Sequence, residues 1–461
     1  MRRRIAIAPA AIALVVTAAM AIAACGGSGK SSSDNNNAAS GPTKQNVTLT
    51  MWTMPNSPDP KGDLHKLLQP FTAQTGIKVN VQVVGWDVQL DRIRNAAVSG
   101  SGPDVTQAGT TQVPFFAALG GFSDISSKVG QIGGSGGYNP AVWNTTKLSG
   151  KNGTWALPWF TEARAIYYRK DVLKKAGLDP ATAFKDWDTF RQSLLTIKQK
   201  VPAVGGKPIK PFGQPGSKAF DLVHDVMPFV WAAGGSELSS DDKTSTINSP
   251  QAMEGVKFMT QLIKDGTFDT SQLERDGTQV ENQFKGGKLA VWIGGPWVLA
   301  TVPRKDDDTW SPAARKNVGV APLPAGPVGK AFTFLGGSDL MVFKSSKHQD
   351  AAWQLLKYMA SDKVQTAYAQ LLGMFPAKES AQTQFGEQDA NHQEFLDAVK
   401  DGRTYAPIAQ WAEVENAYKG SFGQILADAA SHGGNVSDTT LKSQLDKAAK
   451  QADGLLSQST G

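Results

Sequence analysis

The chain has 461 residues with 47 basic against 41 acidic side chains, a net charge of +6 and no long lysine or arginine run, so nucleic-acid binding has no electrostatic footprint. One cysteine, Cys25, excludes a disulfide within a single chain and any zinc-finger ligand set. Five scattered histidines (65, 224, 348, 392 and 432) without a His-Glu-x-x-His spacing argue against a transition-metal hydrolase, and no Asp-x-Asp-x-Asp-Gly loop supports calcium, so no metal and no cofactor are expected.

Arg2, Arg3 and Arg4 precede an apolar run from Ile5 to Ala24 that only Thr17 and Pro9 interrupt. A basic start followed by such a run predicts a secretory signal; its length would also suffice to span a membrane, but Ala23 and Ala24 before Cys25 favour cleavage there. Ile22-Ala23-Ala24-Cys25-Gly26 resembles a bacterial lipobox, which implies removal of residues 1–24 and acylation of Cys25. That removal takes three of the basic residues and leaves a net charge of about +3. Residues 25–46 continue as a Gly/Ser/Asn-rich tether. Gly29-Lys30-Ser31 mimics the end of a phosphate-binding loop, but position 24 is alanine and no strand precedes it. The body of roughly 415 residues is too large for one core and suggests two domains.

The body opens with an alternating strand, Val47 to Trp52, which Pro55, Asn56, Pro58 and Pro60 break into a loop. Leu64, Leu67, Leu68 and Phe71 then mark one face of a helix that Pro70 should kink and Gly76 ends. A strand from Ile77 to Val84 and a helix from Gln89 to Val98 complete an α/β start. Residues 130–137 read as a mobile glycine loop. They contain Gly133, Ser135 and Gly137 in a Gly-x-Ser-x-Gly order, but glycines flank the serine where a nucleophile elbow needs a strand and a helix. Further on, Lys185 to Lys200 is helical, and Ser249 with Pro250 caps another helix. Strands are expected at 289–293 and 339–343, a helix at 351–360, and mostly helix beyond about 387.

A set of landmarks in fixed order carries a family resemblance. They are Trp52; Gly102-Pro103-Asp104-Val105 with Thr110-Thr111 and the Phe115–Gly121 segment; Trp155-Ala156-Leu157-Pro158 running to Tyr167-Tyr168-Arg169-Lys170-Asp171; Trp187-Asp188-Thr189-Phe190; Gly287 to Trp297; and Pro376 after Leu372-Gly373-Met374-Phe375. In this order the chain resembles the sugar-binding proteins of ATP-driven (ABC) importers, in the large oligosaccharide group that includes the maltose-binding protein. The resemblance implies an α/β, two-lobed periplasmic-binding-protein fold with three interdomain crossings and a ligand cleft between the lobes. It puts the crossings near 158–162, 319–323 and 373–376. The N-lobe would be 47–160 with 322–373, and the C-lobe 161–321 with 374–461. A monomer is implied, with a di- or oligosaccharide ligand and the transmembrane subunits of a permease as partners. With Cys25 acylated, it would sit on the outer face of the membrane of a Gram-positive, actinobacterial-type cell.

Sugars offer apolar C–H faces to aromatic rings and hydroxyls to short polar side chains on loops. Trp297, behind Gly294-Gly295-Pro296 at a strand end, matches a family stacking position, and Trp411 matches a second. Trp231, Trp159 with Phe160 at the first crossing, and Trp86 after Gly85 are further candidates; core packing is the competing reading for every ring. The polar candidates are Thr110, Thr111, Gln107, Asn56, Asp59 and Glu162, the last matching a family carboxylate that Arg164 is placed to pair with. The maltose-binding protein has an acidic residue and an arginine where Thr110 and Thr111 stand, so maltose is not implied. The competing classes are a carbohydrate-active hydrolase, for which Glu162 with Glu237 is the pair on offer, and a cell-surface structural lipoprotein, for which the repeats are lacking.

Overall fold

The computed structural model describes residues 45–304 and 307–458. Cys25, the signal segment and the tether lie outside these residues. Strands in chain order are β1 (Thr48–Thr53), β2 (Lys78–Val83), β3 (Val105–Gly109), β4 (Leu157–Ala163), β5 (Ala165–Arg169), β6 (Ala203–Val204), β7 (Lys207–Pro208) and β8 (Lys210–Phe212). They continue with β9 (Leu289–Gly294), β10 (Val318–Ala321), β11 (Thr333–Val342), β12 (Phe375–Pro376) and β13 (Gly402–Arg403). One sheet runs β12-β4-β11-β3-β1-β2 with β13 also on β11, and a second runs β10-β5-β9-β8. β6 and β7 form a small hairpin. This is a mixed α/β fold of two lobes, one built on each large sheet.

Each sheet has its own core. Leu49, Met51, Val105 and Leu340 of the first pack on Leu64, Leu68 and Phe71 of the helix Pro60–Thr75. That helix runs through Pro70 and ends at Gly76, whose φ of 79° is the left-handed conformation glycine adopts without strain. Its start corrects the sequence reading: Pro60 stands at the first helical position, where a missing N–H costs nothing, and Asp59 is the N-cap. The second sheet packs on the helix Trp187–Lys200 through Phe190, Leu194 and Ile197. Asp186 and Thr189 form a capping box at its head. Ser249 caps the helix Pro250–Lys264 as its residue type predicts. Residues 130–137 are not an irregular loop; they form two 3-10 turns, Val129–Ile132 and Gly134–Gly137. Among the described residues no helix is long and apolar enough to cross a membrane.

The chain passes between sheets where β4 gives way to β5, with Arg164 alone between the two strands. It passes again between β10 and β11. Thr333, at the head of β11, clips the two passages together: its hydroxyl accepts from the Arg164 N–H and donates to the Arg164 carbonyl, each at 2.8 Å. β11 is longer than expected, extending back from Asp339 to Thr333, and pairs with β4 so that Gly336 faces Glu162 and Gly337 faces Thr161. A third core fills this junction, with Ala163, Tyr167, Leu335, Phe375 and Phe395 in one cluster.

Candidate functional site

The junction, the head of one helix and the start of another together enclose a polar cluster. Arg164 is 3 % exposed, and its Nη2 donates to Glu162 Oε1 at 3.2 Å and to Asp221 Oδ1 at 3.1 Å. The guanidinium carbon lies 4.8 Å from the centre of the Trp297 ring, a cation–π arrangement. Trp297 itself is half-buried and donates its indole N–H to Glu281 at 2.9 Å. Its position follows from the strand before it: β9 is buried throughout, and Gly294, Gly295 and Pro296 end it so that Trp297 opens the helix Trp297–Thr301 at the sheet edge.

Asp221 immediately precedes the helix Leu222–Ala232, which is apolar except for His224 and Asp225. Both are buried, at 2 % and 3 % exposure. His224 lies flat on Phe334 with ring centres 3.8 Å apart, its Nδ1 is 3.1 Å from the Tyr405 hydroxyl and its Nε2 is 3.3 Å from Glu415. Burial, and then the nearby Arg164, hold the His224 imidazole well below its usual pKa, so it is neutral. Burial pushes Glu162 up to about 7 against the pull of Arg164, and Glu415 up to about 8 against the pull of Thr111 and Lys419. Asp225 is raised well above the carboxylate range, again mainly by burial. Asp225 Oδ1 and Arg164 Nε have no hydrogen-bond partner, and Glu415 Oε1 has only the His224 Nε2 contact at 3.3 Å.

Residues from the two sheets meet around this cluster. Trp86 opens the helix Trp86–Ser99 on the first sheet's side and stacks on Phe220, next to Asp221, with ring centres 5.9 Å apart. The helix Val113–Ala118 lies against the helix Trp411–Ser431. Between them is a cavity of about 10 Å³ lined by Thr110, Thr111, Phe334, Tyr405 and Trp411 among others. Ligand pockets usually measure roughly 300–1,000 Å³, so the two sides must part for a ligand to enter.

The structure brings Glu162 and Trp297 together around Arg164, sets Trp86 on Phe220 beside Asp221, and gathers Thr110, Thr111 and Trp411 around the small cavity. Trp411 is fully enclosed and stacks on Tyr405 at 4.3 Å. Trp231 is 1 % exposed, packs in the second core and donates to Glu237 at 2.8 Å. Trp159 stacks flat on Tyr368 at 4.4 Å in the first core beside Phe160. Gln107 is buried and fully engaged: its Oε1 accepts from Thr53, the Met54 N–H and Asn56, and its amide donates to Ser338. Asn56 belongs to that network and also donates to Tyr368 at 3.3 Å. Asp59 is exposed and caps the first helix through the Gly62 N–H. Glu162 pairs with Arg164 whereas Glu237 accepts from Trp231, so each carboxylate has its own partner.

Sequence reasoning missed Asp221, His224, Asp225, Phe220, Tyr405 and Glu415. The signal for two of them was available: an aspartate and a histidine inside an otherwise apolar helix must be either paired or functional. Glu415 lies four residues after Trp411, on the same helix face.

A family profile described as bacterial extracellular solute-binding protein matches residues 55–366. The diacetylchitobiose binding protein DasA of Streptomyces coelicolor is 31% identical over 377 residues, which is 80% of this chain and 82% of that protein. A putative binding protein of Brucella abortus is 27% identical over 384 residues, 83% and 86% of the two chains. Among solved structures, a solute binding protein from Thermotoga lettingae bound with alpha-D-tagatose superposes with a TM-score of 0.77 at 24% identity, over 89% of this chain and 100% of that one. The maltose-bound MalE3 of T. maritima gives 0.76 at 24%, with the same coverage.

Proposed function

Because the chain belongs to the bacterial extracellular solute-binding proteins, whose members bind rather than transform their ligands, we propose that it captures a di- or oligosaccharide between its lobes and hands it to an ABC permease. The observation that carries this reading is the cluster of Glu162, Arg164, Asp221, Asp225 and Glu415 bounded by the rings of Trp297, Phe220, Tyr405 and Trp411. Rings stack on apolar sugar faces, and buried oxygens without partners need hydroxyl or N–H donors. The Streptomyces relative is named for binding diacetylchitobiose, a diacetylated disaccharide, which agrees in class.

Trp297, Trp86, Glu162, Thr110, Thr111 and Trp411 are the contacts we assign to the ligand from the sequence candidates; Asp225 and Glu415 join them. Trp231, Trp159, Phe160, Gln107, Asn56 and Asp59 support the walls. The sheet changes at Arg164 and between β10 and β11 favour lobes of 47–160 with 322–373 and 161–321 with 374–461. The family resemblance favours a monomer, and the leader argues for an acylated Cys25 that holds it on the outer face of a Gram-positive membrane, where two acyl chains anchor far more stably than one.

Calorimetry against a panel of di- and oligosaccharides tests the reading. Saturable binding of at least one member is expected, and failure of every member overturns the saccharide assignment. Intact-mass analysis of the membrane fraction tests the anchor: a mature chain beginning at an acylated Cys25 is expected, and one beginning elsewhere or lacking acyl mass overturns it.

A further inference from the structure

A ring covers a sugar face only while its plane is held, because a tryptophan turns about two side-chain torsions. Trp297 is half-buried, so packing holds it less firmly than the enclosed Trp411. Its polar edge is tied down instead, the indole N–H donating to Glu281 Oε2 at 2.9 Å. Glu281 lies on the helix Gly277–Lys285, and its side chain is 14 % exposed. Its other oxygen faces the Lys285 ammonium at 3.5 Å, one helical turn on, and Lys285 reaches Asp307 at 2.9 Å. Lys285 is 5 % exposed, so the two carboxylates rather than water satisfy its charge. Asp307 is anchored in turn by the Thr309 N–H at 3.0 Å. On the strand side, the Tyr167 hydroxyl donates to the Gly295 carbonyl at 2.8 Å, and a Cβ on Gly295 would lie 1.7 Å from the Trp297 ring. The ring therefore folds back over that glycine.

A carboxylate acceptor makes the indole hydrogen bond charge-assisted, and the Lys285–Asp307 pair keeps that carboxylate from turning away. Glu281, Lys285 and Asp307 do not line the small cavity, so the route from them to a ligand is the Trp297 ring. Resting on the saccharide reading above, we propose that Glu281 is a positioning residue that fixes the plane of Trp297 for a sugar face. Lys285, braced by Asp307, holds Glu281 in place. The arrangement sets an order of importance among the groups. An acceptor oxygen at position 281 is essential, whereas its charge matters less, since Asp307 remains to pair with Lys285.

The test is calorimetry of the whole protein with maltose, cellobiose, N,N′-diacetylchitobiose and their trimers. For whichever binds the parent, Glu281→Leu should weaken affinity by about tenfold, whereas Glu281→Gln, which keeps an acceptor oxygen, should stay near the parent. In a Trp297→Phe background, which has no indole N–H, Glu281→Leu should cause no further loss. Asp276→Ala removes the cap of the same helix without touching the ring, so it should lower the melting temperature but not the affinity. A readout without ligand accompanies these. The Trp297 indole N–H, one of twelve in the chain, is the nuclear magnetic resonance signal missing from Trp297→Phe. It should exchange faster with water in Glu281→Leu and stay protected in Glu281→Gln. If a sugar binds the parent and Glu281→Leu equally, the positioning role is overturned and the saccharide reading stands. The same holds if the losses of Glu281→Leu and Trp297→Phe add, or if the Trp297 signal is indifferent to Glu281→Leu. If no sugar binds the parent, both are overturned.

Discussion

One nitrogen of Arg164 holds two carboxylates while its plane lies over Trp297, so Trp297 steadies that cation and, on the proposed function, would also cover a sugar face. A ring contact of roughly 60 Å² at about 25 cal/mol per Å² amounts to about 1.5 kcal/mol, and Trp297→Ala should therefore weaken saccharide binding by on the order of tenfold. Because Trp297 is only half-buried, the variant should melt near the parent, and calorimetry beside a thermal melt reads both quantities. Trp411 and Trp159 behave differently. Each is at most 1 % exposed and stacked on a tyrosine, so truncation to alanine should cost about 3–5 kcal/mol of stability, seen in urea unfolding. Trp297 was legible in the sequence because Gly294-Gly295-Pro296 announces a strand end. Asp225 was passed over although its helix is otherwise apolar, while Glu415 was not legible, since a carboxylate on a helix that also carries Glu413 and Lys419 looks like an ordinary solvated face until the packing shows it is buried.

At the scale of elements, the sequence told most where one face is buried and the other wet. The helices Trp187–Lys200 and Pro250–Lys264 followed their periodicity, and their caps, Asp186 and Ser249, are side chains whose chemistry is local. Where a residue type has two uses, reading failed: the prolines after β1 suggested a loop, yet Pro60 starts a helix, and the helix expected from Gln89 begins three residues earlier, at Trp86. β11 was read six residues short because Gly336 and Gly337 weaken a strand pattern. Gly336 makes room for the Phe334 ring of its own strand, and Gly337 answers to the neighbouring strand. Gly337 has φ of 130°, and a Cβ there would lie 2.1 Å from the Phe160 carbonyl oxygen. Gly337→Ala should lower the melting temperature markedly and alter ligand affinity through the junction, whereas Asp186→Ala, which removes only a cap, should cost about 1 kcal/mol and leave affinity unchanged. Urea unfolding and ligand titration of the two variants separate these outcomes.

For the whole molecule, the buried carboxylates set how stability responds to pH. Glu162 and Asp339 are raised to about 7 and Glu415 to about 8, in each case chiefly by burial. The folded state then holds more protons than the unfolded state between the ordinary carboxylate range and pH 8, so stability falls as pH rises through that window. Melting of the ligand-free protein should drop from pH 5 to pH 8, and Glu415→Gln should flatten that decline; an unchanged slope would show that Glu415 is not a source of it. On the proposed function a ligand enters only when the sides joined by Trp86 and Phe220 separate, and small-angle scattering with and without a saccharide should show a smaller radius of gyration in the bound form. The described body contains no cysteine at all. Val88, two residues past Trp86 and 55% exposed, is therefore a place where an introduced thiol would be the body's sole attachment point once residues 1–25 are omitted. If the Trp86–Phe220 contact opens and closes with capture as the proposed function requires, a dye fixed there would report it, turning the binding protein into an optical sensor for its own ligand.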